Sequence, residues 1–162
     1  MRLTTKLSCV TALVVAVTAG ASTAASAGAQ ALLVDGSITA AGSTCSWTNA
    51  TATADPPATL TIAAASVNSS VSCTGGASAT LNNSPTLVFD DAAGTATSDL
   101  IDITVRQSFL SCSYRATNAG WTRSGTTRAY TNQAFTARKS GGSFLCPGSI
   151  SAPAGSASLT FH

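Results

Sequence analysis

The chain reads as an all-β domain, an antiparallel β-sandwich braced by two disulfides. Three observations predict this. Short stretches alternate in hydrophobicity, turn signals punctuate them roughly every 8–12 residues, and four widely spaced cysteines follow an export leader.

The leader comes first. Arg2 and Lys6 precede an apolar run over residues 10–19, and small residues then end in Ala25-Ser26-Ala27 and Gly28-Ala29-Gln30. That order predicts a signal peptide over residues 1–27, with cleavage after Ala27 or Ala29. The run is too short to span a bilayer and no later segment approaches about 18 apolar residues, so no transmembrane segment is expected. The expected product is secreted, either extracellular or associated with the cell wall. Cys9 leaves with the leader. It lies ahead of the apolar run, with Lys6 where a lipid-attachment motif would place leucine.

Cys45, Cys73, Cys112 and Cys146 remain, separated by 28, 39 and 34 residues. An oxidising destination favours two disulfides, and no close pair of the zinc-site type exists. Pairing sequence neighbours, Cys45 with Cys73 and Cys112 with Cys146, is the preferred connectivity, alongside the crossed and nested alternatives. Each bond would contribute about 3–4 kcal/mol by restricting the unfolded chain.

Along the mature chain, residues 28–57 are expected to hold an N-terminal strand and a flexible loop, with 36–57 as the weakest stretch. Residues 58–162 form the main part of a single domain. Ile101, Ile103 and Val105 alternate with Asp102, Thr104 and Arg106 in the clearest half-buried strand. Similar alternation covers 60–64, 110–115 and 157–161. Shorter candidates are 31–35, 44–48, 69–73, 77–81, 86–89, 128–131, 133–137 and 143–146. Turn signals include Asp35-Gly36, Asp55-Pro56-Pro57, Gly75-Gly76, Asn118-Ala119-Gly120 and Gly141-Gly142. Despite the abundant alanine, no segment sustains a helical stripe, and nothing supplies the crossovers of a parallel sheet.

The core inventory is light. It includes Leu60, Ile62, Leu87, Val88, Ile101, Ile103, Val105, Phe109, Leu110, Phe135, Phe144, Leu145, Leu159 and Phe161. Alanine, serine and threonine fill most remaining positions, so covalent bracing is expected to supplement packing.

Charge is sparse and divided. The mature chain keeps six aspartates, no glutamate and six bases; every acid precedes Arg106 and every base follows Asp102. Pairing of neighbouring strands is expected to mix the signs, the alternative being a surface dipole. The one histidine is His162, the final residue, expected to fray. Histidine-based triads and zinc-protease helices therefore lack their essential residue, and a glycosidase would have to rely on aspartates alone. The chain is expected not to be an enzyme and to carry no cofactor or metal. Asp90-Asp91 lacks the EF-hand spacing for calcium. Trp121, Tyr114, Phe109, Trp47 and Arg123 are the candidate ligand-binding residues, because aromatic rings beside arginine suit ring-bearing ligands. The basic segment is spread out and the domain near neutral, so nucleic acid is not an expected partner.

Cys112-Ser113-Tyr114 followed by Phe144-Leu145-Cys146-Pro147, behind an Ala/Thr/Ser-rich leader, is similar to small exported actinobacterial proteins. A second resemblance is to the neocarzinostatin-type chromophore-binding apoproteins, which are immunoglobulin-like sandwiches. Residues 91–97, 103–109 and 157–161 carry it, about a third of the mature chain. That family has two short-range disulfides, whereas the cysteine gaps here are long, so no ligand residue is carried over. Three functional classes are expected: a non-catalytic secreted or cell-surface interaction domain with an extracellular or envelope partner; a carrier of a small apolar molecule; or a secreted hydrolase or hydrolase inhibitor.

Overall fold

Antiparallel hydrogen bonding organises residues 32–162, which the computed structural model describes; the expected signal peptide lies outside the described residues. The strands are β1 (Leu32–Ala40), β2 (Ser43–Ala52), β3 (Leu60–Thr61), β4 (Ser72–Cys73), β5 (Ala77–Leu81) and β6 (Thr86–Asp90). After them come β7 (Thr95–Gln107), β8 (Leu110–Arg123), β9 (Ala129–Asn132), β10 (Phe135–Gly142), β11 (Ser149–Ala152) and β12 (Ala157–Phe161). One short helix, α1 (Ala64–Ser70), sits between β3 and β4. The fold is thus mostly β and antiparallel, with one small helix and two disulfides.

Two long hairpins set the frame. β1 and β2 turn at Ala41 and Gly42, both with positive φ, the two-residue geometry whose twist matches the flanking strands. β7 and β8 pair over their whole length from Thr95↔Thr122 to Gln107↔Leu110. The hydrogen-bonded order is β3-β6-β7-β8-β9-β12-β1-β2-β4, with β5 on β7, β10 on β8 and β11 on β10. The bridge Ala52↔Ile62, with Thr53 N–H donating to Thr61 C=O (3.1 Å), links the end of β2 back to β3.

The larger core gathers Val34, Leu60, Leu87, Trp121, Leu159 and Phe161. Phe89, Tyr130 and Phe161 meet edge to face there, with ring centroids 5.3–6.1 Å apart. A smaller cluster surrounds Cys112 and Cys146, with Tyr114, Ala116 and Ala137. Buried Asn132 pins β9 to the β11–β12 connection. Its amide donates to Pro153 C=O (2.8 Å) and its carbonyl oxygen accepts from Ala157 N–H (2.7 Å).

Several expectations need correction. The weakest stretch, 36–57, expected as a flexible loop, is mostly the β1–β2 hairpin, built from small β-compatible residues whose stability comes from pairing with β12. Residues 64 and 69–70, expected in strands, belong to α1. With seven residues this helix is too short to show a stripe; it is held by buried Val67 and by Asn68, which exchanges two hydrogen bonds with Leu81. Residues 143–146 form a loop rather than a strand. Asn118-Ala119-Gly120 and Gly141-Gly142 lie inside β8 and β10, not in turns. Val88, Phe109, Phe144 and Leu145 are exposed instead of packed in the core. The last residue does not fray: His162 N–H donates to Leu33 C=O (3.0 Å), and Leu33 N–H donates back to His162 C=O (3.1 Å).

Candidate functional site: an apolar cavity between two hairpins

Strand alternation sends Ile101, Ile103, Val105 and Gln107 of β7 inward, facing Ile38, Cys45 and Trp47 of the β1–β2 hairpin. Between them lies a cavity of about 270 Å³ with a largely apolar lining. Ala79 and Leu81 of β5 and Val67 and Val71 close one flank; Phe135 and Ile150 close the other. Composition explains the empty space. Several wall positions hold only alanine or serine, including Ser37, Ala40, Ala79, Ser98 and Ala157, so the isoleucines opposite them do not reach across. Those isoleucines point inward yet remain only partly buried.

The mouth lies at one end of the molecule. Ala41, Gln107 and Pro147 line the cavity and are exposed there, as are Asn68 and Thr80 on the α1–β5 flank. Neighbouring tips converge there: Ala77 pairs with Gln107, Thr74 Oγ1 accepts from Thr44 N–H (3.0 Å), and Ser143 N–H donates to Ser111 C=O (3.1 Å). Both disulfides flank this end. Cys45 and Cys73 are direct cross-strand partners with Cα atoms 4.0 Å apart, and Cys112 joins Cys146 with Cα atoms 5.7 Å apart. The preferred connectivity is the one observed.

Three of the five candidate ligand residues meet at this cavity. Trp121 (5 % exposed) and Tyr114 (3 % exposed) stand in the β8 wall, and Trp47 stands in the β2 wall. Trp121 is therefore buried. Trp47 lies across Gly36 of β1, where a Cβ would overlap three atoms of its indole. Both indole N–H groups are buried and lack a hydrogen-bond partner among the described residues, so ring shape rather than polar bonding places them. Burial pushes the Tyr114 phenol above its ordinary pKa, with no hydrogen bond or charge opposing it.

Phe109 and Arg123 fall elsewhere. Phe109 is 86 % exposed at the β7–β8 tip, following Ser108 with its positive φ. Arg123 pairs with Asp91 at the opposite end of the same hairpin. Sequence reading could not single out Ile38, Val105 or Ile150 as cavity residues. Their alternation marks an inward face, but whether that face is filled depends on what stands opposite.

The charges mix as strand pairing predicts. Arg115 pairs with Asp102 (2.5 Å), Arg123 with Asp91 and Arg128 with Asp55. Asp102 is the buried member. Burial pushes its carboxyl up, but hydrogen bonds from Asn82 (2.8 Å) and Arg115, together with the Arg115 charge, outweigh this and hold the pKa below the ordinary carboxylate value. A depressed folded-state pKa gives stability that is present above the unfolded value, near 4, and lost as pH falls through the folded one. Asp102→Asn is therefore expected to lower stability by about 1–2 kcal/mol at neutral pH. In paired denaturation series the gap between variant and parent should narrow on acidification below about pH 4. A gap that stays constant to pH 2 would contradict this.

Among the described residues no group of three or more His, Cys, Asp or Glu side chains could hold a metal ion. No protein-family model, curated protein or solved structure matches this chain.

Proposed function

We infer that this protein is a secreted, non-catalytic carrier of a small, mostly apolar molecule held between the β1–β2 and β7–β8 hairpins. The antiparallel sandwich expected from the sequence supplies the two walls, and the disulfides keep their mouth end in place. One observation carries the reading: a cavity of about 270 Å³, apolar and open to the surface, in a domain whose core is otherwise small. A dry cavity of about 150 Å³ accepts benzene, so a molecule of about two rings suits this one. The Tyr114 hydroxyl gives such a ligand a polar handle, and Trp47 and Trp121 offer ring faces. An interaction module needing no ligand would gain several kcal/mol by filling that space with larger side chains, which favours the carrier over a purely structural domain.

Both tryptophans of the chain border the cavity, so intrinsic fluorescence reports its occupancy. N-phenylnaphthylamine should bind saturably at one site and change that emission. Ala79→Phe, which places a ring in the cavity from β5, should weaken binding at least tenfold while leaving the fold intact. Native mass spectrometry of protein from its own culture medium should show an added small-molecule mass. Absence of saturable probe binding, with ligand-free native protein, would refute the carrier.

A further inference from the structure

We propose that the mouth end of the molecule docks on an anionic lipid surface, with Phe109, Phe144 and Leu145 entering the interface and Arg106 and Lys139 facing the lipid phosphates.

The large apolar side chains at this end are exposed to an unusual degree: Phe109 at 86 %, Phe144 at 89 % and Leu145 at 56 %. They are held on one edge. The loop bearing Phe144 and Leu145 is tied to β8 by Ser143 N–H on Ser111 C=O and by the Cys112–Cys146 bond, a few residues from Phe109. Tight turns thus present the two phenylalanines on firmly attached backbone. Aromatic rings presented so, beside cations, suit the boundary between water and lipid headgroups.

Charge selects the partner. Among the described residues no carboxylate lies within ion-pair distance of Arg106, Arg138 or Lys139. Arg106 stands on the outer face of β7 near its tip; Arg138, opposite Arg115 across β8–β10, lies about five residues farther back. Lys139 Nζ donates to Ser143 C=O (2.7 Å), which fixes its ammonium beside the aromatic loop. Asp90 and Asp91 are at the far end of β7, a 13-residue strand roughly 40 Å long. The remaining nearby carboxylate, Asp102, is buried against Arg115 and Asn82. The end that exposes apolar rings is therefore the cationic end, and an anionic bilayer supplies both an apolar layer and negative charge. Among the described residues no helix is long and apolar enough to cross a membrane, so the contact is superficial. Where the carrier reading also holds, this docking sets the cavity mouth against the lipid and gives an apolar ligand a path that avoids water.

The test is sedimentation with vesicles, using protein purified from the medium of a secreting host. Binding is expected to phosphatidylglycerol-containing vesicles, to be much weaker to pure phosphatidylcholine, and to fall with salt. Arg106→Glu, which changes the local charge by two, should weaken partitioning roughly thirtyfold, at about tenfold per 1.4 kcal/mol and 1 kcal/mol per charge. Phe109→Ser with Phe144→Ser should weaken it at least tenfold. All three side chains are exposed, so thermal melts of both variants should match the parent. Absence of sedimentation with phosphatidylglycerol, or binding unchanged in either variant, would overturn the proposal, as would capture by a soluble polyanion in place of vesicles. Probe binding without vesicles reads the cavity alone, so the carrier and the docking surface can fail separately.

Discussion

Replacing Cys112 and Cys146 together by alanine lowers stability by about 3–4 kcal/mol, a large part of what a domain of this size possesses. The bond closes a 34-residue loop, and the chain-entropy argument gives a similar figure for the 28-residue loop of Cys45–Cys73. The consequences differ because the surroundings differ. Cys45 and Cys73 sit opposite each other in an already paired strand segment. Cys112 and Cys146 form the centre of the smaller core, where Tyr114, Ala116 and Ala137 supply most of the other buried apolar surface. Losing this bond also frees the 143–148 loop, which borders the cavity mouth through Pro147. Urea denaturation of the oxidised parent and the double variant checks the magnitude. A loss below about 1 kcal/mol would mean that the loop is held by packing and hydrogen bonds alone.

Gly36→Ala is expected to cost about 1–3 kcal/mol and to disturb the cavity at once. The added methyl would overlap Cζ2, Cε2 and Cη2 of Trp47, its partner across β1–β2. A flexible side chain could step aside, but an indole displaced from the strand moves as a rigid body into the space beside Ile38 and Cys45. Two readouts should change together: thermal stability falls, and N-phenylnaphthylamine binds at least tenfold more weakly. Tryptophan emission should shift as the ring leaves its glycine seat. Unchanged emission and affinity in a folded variant would show that Trp47 does not border the binding space.

Legibility from sequence followed the range of the interaction involved. The alternation over 101–106 and 157–161 identified strands correctly, because period-two patterning records burial of one face. The same logic stumbled at Phe109, Phe144 and Leu145. Each is large and apolar, yet each occupies a tip or loop where no opposing layer covers it. Helix α1 went unseen because its stability resides in one buried valine and the Asn68–Leu81 hydrogen bonds, long-range contacts that leave no local stripe. The opposite charges of the two halves were legible as a list; strand pairing set Asp102 against Arg115, and connecting loops brought Asp91 to Arg123 and Asp55 to Arg128.

Of the candidate ligand residues, aromatic identity alone picked out Trp47, Tyr114 and Trp121, and tertiary placement then separated them from Phe109 and Arg123. The sequence by itself determined the β character and four cysteines spaced for bracing rather than metal binding; its turn signals missed the tips of both long hairpins, at Ala41-Gly42 and Ser108-Phe109, and placed one turn at Asp35-Gly36, inside β1. Only the tertiary structure decided which cysteines meet, which apolar faces find a partner and where the interior stays empty. The physical reason is that alternation fixes the direction of a side chain relative to its own strand, whereas a cavity depends on the sizes of residues on two strands at once. Here alanines and serines share the cavity lining with isoleucines of other strands, and that juxtaposition exists only after the hairpins have come together.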